Sequence, residues 1–209
     1  NEQDIQAVVE VLKSDWLTQG PAVPRFEAAI SAFCGAEFAV ATSNATAALH
    51  IACLALGLGP QDTLWTTPNT FVATANCARY CGATVDFVDI DPRTYNMSVA
   101  ALRAKLESAE KNGTLPKIVI PVHFAGQSCE MREIKALAEK YNFAIIEDAS
   151  HAVGGSYLGA PVGNGRYSDI TIFSFHPVKI ITTGEGGMAV TNNPCLLYTS
   201  PSPRDVEES

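Results

Sequence analysis

The sequence predicts an α/β domain whose central sheet is largely parallel. Two observations carry that expectation: short apolar runs bounded by Gly, Pro, Asn or Asp, and helix-period segments lying between them. A third sets the scale. The chain has 209 residues, 47% hydrophobic and 17% charged, enough to bury one real core and too apolar for intrinsic disorder.

Taken in order, Ile5, Val8, Val9 and Leu12 fall at i, i+3, i+4 and i+7, and Phe26, Ile30 and Phe33 continue the period. Two amphipathic helices therefore open the chain, flanking the loop Trp16-Leu17-Thr18-Gln19-Gly20-Pro21. Buried strands are expected at residues 38–42, 63–66, 84–88, 118–122, 144–147 and 170–174. Covering helices are expected at 45–56, 72–81, 98–109 and 131–141, the last with Ile134, Leu137, Ala138 and Tyr141 on one face. A further strand, 188–191, follows a glycine-rich stretch, and no internal repeat is present.

Composition excludes several functions. The net charge is −8 and neither Lys nor Arg clusters, which argues against a nucleic-acid or anionic-membrane surface. No apolar run reaches the roughly 18 residues of a spanning helix, and the chain opens on Asn1-Glu2-Gln3-Asp4, so a cytoplasmic location is expected. It opens without Met, so the natural N-terminus is expected to lie upstream. The six cysteines hold no C-x-x-C pair and are expected to be reduced, buried thiols, with Cys77 and Cys81 on one helix face. No metal site is expected. There is no G-x-G-x-x-G, Walker A or H-E-x-x-H motif, and Gly154-Gly155-Ser156-Tyr157-Leu158 lacks the last glycine of a nucleophile elbow. Oxidoreductase, nucleotidase and hydrolase chemistry all lose weight together.

Parallel sheets bind ligands at the carboxyl ends of their strands, and four segments fall there. Ser174-Phe175-His176-Pro177-Val178-Lys179 is closed by Thr182-Thr183-Gly184-Glu185-Gly186-Gly187. Lys179 after a buried strand is either a surface lysine or a desolvated, nucleophilic one. Ile145-Ile146-Glu147-Asp148-Ala149-Ser150-His151 ends a strand in acids. Asp148 there either caps a turn or keeps a bound heteroaromatic nitrogen protonated, and His151 either sits in the core or packs against such a ring. Thr42-Ser43-Asn44-Ala45-Thr46-Ala47 runs from a strand into a helix. Ser43 or Asn44 can cap that helix while its free N–H groups bind a phosphate. Thr66-Thr67-Pro68-Asn69-Thr70-Phe71 offers Phe71 as a core residue or as a stacking ring. The order of phosphate loop, stacking aromatic, strand-end Asp and Lys makes pyridoxal phosphate the economical cofactor.

These residues carry a resemblance: residues 1–194 are similar to the N-terminal half of the DegT/DnrJ/EryC1/StrS sugar aminotransferases. The resemblance implies the large domain of a fold type I, aspartate aminotransferase-like PLP-dependent transferase, with the small C-terminal domain missing. Leu17-Thr18-Gln19-Gly20, the segment Thr67-Pro68 to Asn76, and Phe173–Gly187 (numbers 173–187) resemble the branch that aminates UDP-4-keto-6-deoxy-N-acetylhexosamines for pseudaminic acid. The resemblance implies Lys179 as the Schiff-base lysine, Asp148 as the partner of the pyridine nitrogen, and His151 near the ring. It implies Ala45, Thr46, Ala47 and Ser174 on the phosphate, Phe71 stacked on the ring, and Leu17, Thr18, Gln19 and Gly20 as a substrate loop.

The implied reaction takes an amino group from L-glutamate to the C4 ketone of a UDP-linked sugar, in a homodimer whose partner lends an Asn to the phosphate. Other keto nucleotide-sugar aminotransferases of the family and an inactive truncated remnant are the alternatives. A sugar dehydratase on this fold would carry His where Lys179 stands. Residues 195–209, from Cys195-Leu196-Leu197-Tyr198-Thr199 onward, resemble the conceptual translation of a sequencing adapter and are expected to be a non-native tail.

Overall fold

The computed structural model describes residues 1–18 and 20–199; Gln19 and residues 200–209, with the expectations made for them, lie outside the described residues. Helices α1 (Glu2–Lys13) and α2 (Ala22–Cys34) lead into strand β1 (Phe38–Thr42). Then come α3 (Ala45–Ala55), β2 (Thr63–Thr66), α4 (Ala73–Tyr80), β3 (Thr84–Phe87), α5 (Val99–Asn112), β4 (Ile118–Ile120), α6 (Met131–Tyr141) and β5 (Ala144–Asp148). The small hairpin β6 (Ser156–Tyr157) and β7 (Ala160–Pro161), strands β8 (Ile170–Ser174) and β9 (Gly187–Thr191), and the short helix α7 (Pro194–Thr199) follow.

The large sheet has the order β1-β9-β8-β5-β4-β2-β3. Strands β3, β2, β4, β5 and β8 are mutually parallel, and β9 is antiparallel to both of its neighbours. Only β9 therefore runs against the rest, and the expected largely parallel α/β architecture is the one observed. Alternation along the strands sorts side chains into two layers. Leu64, Ile118 and Ile146 pack with Ala48, Leu49 and Ala52 of α3 and Cys77 of α4. Their neighbours Trp65, Val119 and Ile145 pack on the opposite face with Leu102 and Leu106 of α5 and Ile134 and Leu137 of α6. A third cluster joins Ile30 and Cys34 of α2 to Phe173, Met188 and Val190 at the β8–β9 end.

The structure adds to or departs from the sequence reading at three places. Helix α1 is capped by Asn1, yet it buries no residue, and Ile5, Val8 and Leu12 stay exposed. Apolar periodicity reports that a helix has a face, and it is silent about what covers that face. Cys34, Cys53, Cys77 and Cys129 are buried free thiols as expected, whereas Cys81 is half-buried and Cys195 exposed. Cys81 falls on the C-cap of α4, where the last turn leaves the core. Finally, residues 194–199 form a helix whose Leu196 packs, half-buried, against the α3 cluster. No described helix is long and apolar enough to cross a membrane.

Candidate active site

The sheet brings the ends of four strands to one edge. Register sets Thr42 of β1 opposite Gly187 of β9, and Gly187 opposite Ser174 of β8, while β5 ends at Asp148. A cleft of about 600 Å³ opens above this row, lined among others by Asn44, Ala45, Thr46, Phe71, Thr74, Asp148, His151, Ser174 and Lys179.

At one end lies the start of α3. Asn44 is in an extended conformation and its Oδ1 accepts the Ala47 N–H at 2.8 Å, while Thr42 Oγ1 donates to the Asn44 carbonyl at 2.9 Å. The N–H groups of Ala45 and Thr46 are left without a protein partner among the described residues. Free donors at the positive end of a helix dipole suit a phosphate. Ala47, expected on the phosphate, spends its N–H on the Asn44 cap instead, so Ala45 and Thr46 supply the open donors. Gly187 is what allows this geometry. A Cβ there would overlap the backbone of Asn44 and Ala45, so β9 passes under the helix start only without a side chain.

At the floor, Asp148 is buried, and its Oδ2 accepts from Thr74 Oγ1 at 2.7 Å and its Oδ1 from the Ser150 N–H at 3.1 Å. Thr70 Oγ1 lies 2.8 Å from Thr74 Oγ1 and extends the chain of hydroxyls. Carboxylate oxygens can accept several donors each, so the group keeps capacity for a ring N–H. Its neighbour Glu147 points to the other side of the sheet, as strand alternation demands. There it meets Ser168 Oγ at 2.5 Å, Thr171 Oγ1 at 3.2 Å and His123 Nε2 at 2.7 Å. Burial opposes its charge, but the His123, Ser168 and Thr171 contacts outweigh burial and hold its carboxyl below the usual range. The Cys129 N–H donates to His123 Nδ1 at 3.1 Å, and the His123 N–H donates to the Asp148 carbonyl at 3.0 Å. The two strand ends are thus locked together beneath the cleft.

Lys179 sits in the segment between β8 and β9, five residues past the strand rather than directly on it. That segment closes on itself: Phe175 N–H donates to Gly186 O, Thr183 N–H to Phe175 O, and Lys179 N–H to His176 O. Its amine lies 2.6 Å from His151 Nε2. Burial lowers the basicity of Lys179, with the nearby Asp148 charge working the other way. Burial, then the Lys179 charge, likewise lowers that of His151. Phe71 is 73% exposed, so it is a wall of the cleft and not a core residue. Among the described residues of the expected substrate loop, Leu17, Thr18 and Gly20 do not line the cleft. Leu17 and Thr18 stand exposed and Gly20 turns back on Trp16, because α1 and its loop are not packed on the sheet.

The model of the DegT/DnrJ/EryC1/StrS aminotransferase family matches residues 1–199. The chain belongs to that family. It is 46% identical to the UDP-4-amino-4,6-dideoxy-N-acetyl-beta-L-altrosamine transaminase of Campylobacter jejuni, over 94% of this chain and 50% of that one. It is 42% identical to the GDP-perosamine synthase of Caulobacter vibrioides, over 92% of this chain and 50% of that one. Among solved structures, PseC of Helicobacter pylori, an aminotransferase of pseudoaminic acid biosynthesis, superposes with a TM-score of 0.86. It shares 34% identity over 96% of this chain and 52% of its own. The chain spans about half the length of the curated relatives it matches.

Aminotransferases of the DegT/DnrJ/EryC1/StrS family use pyridoxal phosphate, and the residues present fit that group. The bare N–H groups of α3 match its phosphate, the buried Asp148 its ring nitrogen, the exposed Phe71 its ring face and the Lys179 amine its aldehyde. Sequence reasoning missed Thr74 and the Glu147 network. A threonine four residues after Thr70, on the covering helix expected at 72–81, is the signal for the first. For the second it is the pair of acids closing a buried strand, since period-two alternation must send them to opposite faces.

Proposed function

We propose that the protein is a pyridoxal phosphate-dependent aminotransferase that moves the amino group of L-glutamate to the C4 ketone of a UDP-4-keto-6-deoxy-N-acetylhexosamine. The observation that carries this reading is the single cleft in which the Lys179 amine, the Asp148 carboxylate and the free N–H groups of α3 face one space. The similarity to a transaminase named for a UDP-linked N-acetyl sugar supports the finer substrate. When bound, pyridoxal phosphate supplies an electron sink for the carbanion that arises where an amino group leaves or arrives.

The chain's own residues do the rest. Ala45 and Thr46 hold the phosphate through their N–H groups, and the Ser174 hydroxyl, one strand away, adds a third donor. Phe71 covers the ring face. Asp148, steadied by Thr74 and Ser150, keeps a proton on the ring nitrogen. Lys179, kept less basic than an ordinary lysine, would take the proton from Cα of the amino donor and pass it to the cofactor carbon that carried the aldehyde. The first half would end when water releases the donor skeleton as 2-oxoglutarate; in the second half Lys179 would move the proton in reverse, so that the sugar C4 gains the amino group and its ketone oxygen leaves as water. His151, whose Nε2 lies 2.6 Å from the Lys179 amine, would orient that amine. The exposed apolar residues Phe71, Val72, Val178, Ile180 and Ile181 around the cleft support a homodimer that closes the site.

The test is to mix the protein with pyridoxal phosphate, L-glutamate and the UDP-keto sugar, following 2-oxoglutarate release and the mass of the sugar product. A 4-amino sugar with matching 2-oxoglutarate is expected. Absence of a visible cofactor band in the purified mixture would count against the reading.

A further inference from the structure

Tyr95 and Phe124 stand beside the cleft as an aromatic pair, ring centroids 6.0 Å apart and planes at 41°, and both are exposed. Phe124 lines the same cleft as Lys179. Neither ring has drifted outward on a loose loop. Tyr95 is held at φ 60° and Ala125, next to Phe124, at φ 52°, left-handed values that side-chain-bearing residues rarely adopt.

One buried side chain holds both loops. Asn96 Oδ1 accepts the Phe124 N–H at 2.9 Å, and its Nδ2 donates to the carbonyls of Gln127 at 3.0 Å and Ser128 at 3.1 Å. Asn69 of the cleft wall reaches the Tyr95 carbonyl at 3.5 Å. Strained backbone persists only where its surroundings enforce it, and such places cluster at ligand clamps. Here the enforcement keeps two adjacent ring faces in solvent, where folding alone would bury them.

We infer that Tyr95 and Phe124 form a stacking subsite for the nucleobase of the substrate. The inference rests on the nucleotide-sugar reading above and adds the position of the base: with the reacting sugar at Lys179, the base lies outward on Phe124 and Tyr95. Stacking on aromatic rings is tolerant of base identity, so the subsite fixes the base as a class.

Tyr95→Gly tests it cleanly, because glycine removes the ring and suits the left-handed backbone, so folding is not put at risk. Phe124→Leu keeps apolar bulk and loses the flat face. Isothermal titration of the cofactor-loaded protein uses UDP-N-acetylglucosamine and, as the base-free probe, N-acetylglucosamine 1-phosphate. Both variants are expected to bind the UDP-sugar about 5- to 150-fold more weakly, the span that loss of a base-stacking ring gives. Binding of the base-free probe and the visible cofactor band should not change in Tyr95→Gly. Unchanged UDP-sugar affinity, or an equal loss for both probes, overturns the subsite. A wild-type protein that ignores the UDP-sugar but keeps its cofactor band overturns the subsite alone. Absence of the band strikes the aminotransferase reading itself.

Discussion

Replacing Asp148 by Asn should leave the fold standing and remove the chemistry, and the local geometry says why. The Asn carbonyl oxygen can still accept the Ser150 N–H, now at 3.1 Å. Its amide can donate to Thr74 Oγ1, 2.7 Å away, while the Thr74 hydrogen turns to Thr70 Oγ1 at 2.8 Å. Every polar group keeps a partner, so only charge assistance is lost, about 1–2 kcal/mol over two bonds. At about 2–4 °C per kcal/mol for a chain of this size, melting should fall by roughly 2–8 °C. Catalysis should suffer more, because a neutral amide cannot hold the ring nitrogen protonated. Loss of one preorganised electrostatic partner costs about 100- to 1,000-fold in rate. The assay is a single-turnover half-reaction with L-glutamate followed by the change in visible absorbance, beside a thermal melt. A rate within about tenfold of wild type, only about 1.4 kcal/mol, would refute the assigned role.

Borohydride treatment of the cofactor-loaded protein should fix a pyridoxyl group on Lys179, and a label mapped to Lys117 or Lys140 would remove that residue from the site. The pH at which Lys179 attaches the cofactor should lie below the ordinary lysine value of 10.5, since burial lowers its basicity; a midpoint at or above that value would contradict the geometry. Glu147 has a folded pKa below its ordinary 4.5, so it stabilises the fold above that pH and the contribution vanishes as pH falls through the lowered value. Urea unfolding from pH 6 down to about pH 3 should therefore show a steeper loss of stability in wild type than in Glu147→Gln. Gly187→Ala should cost about 1–3 kcal/mol from overpacking and weaken phosphate-dependent cofactor binding, because its Cβ overlaps the start of α3. A melt and a cofactor titration indistinguishable from wild type would show that β9 has room to move.

What the sequence disclosed depended on the range over which each signal acts. Strand β5 was legible to within one residue, because Ala144 to Glu147 is a continuous apolar run closed by acids and needs no partner to be recognised. The hairpin of β6 and β7 was not legible. Its strands are two residues each, and its turn puts Leu158 at φ 49°, a conformation for which Leu carries no signal. The reversal of β9 was equally hidden, since an apolar run has the same pattern in either direction. At the site, Lys179, Asp148 and the α3 start were found from local chain chemistry. The bond from Thr74 to Asp148 joins residues 74 apart, and only the folded sheet brings them together. Leu17, Thr18 and Gly20 show the limit of local pattern: the run carries a resemblance, but these three residues do not line the cleft of this chain.

The place of β9 also sets the order in which this sheet can close on the ribosome. It lies between β1 and β8, and the link from the Glu37 N–H to Asn192 Oδ1 closes a loop of 155 residues. Until Gly187–Thr191 emerge, the nascent chain holds β1 with no neighbour and β8 with a raw edge, both open to pairing with other chains. Such distant pairing makes for slow closure. The parallel half, β3-β2-β4-β5-β8, can assemble during synthesis, and the phosphate cradle at Asn44–Ala45 is set only when β9 slides beneath it. Chaperone dependence and aggregation during expression should accordingly track substitutions in β9 more closely than equally buried ones in β4.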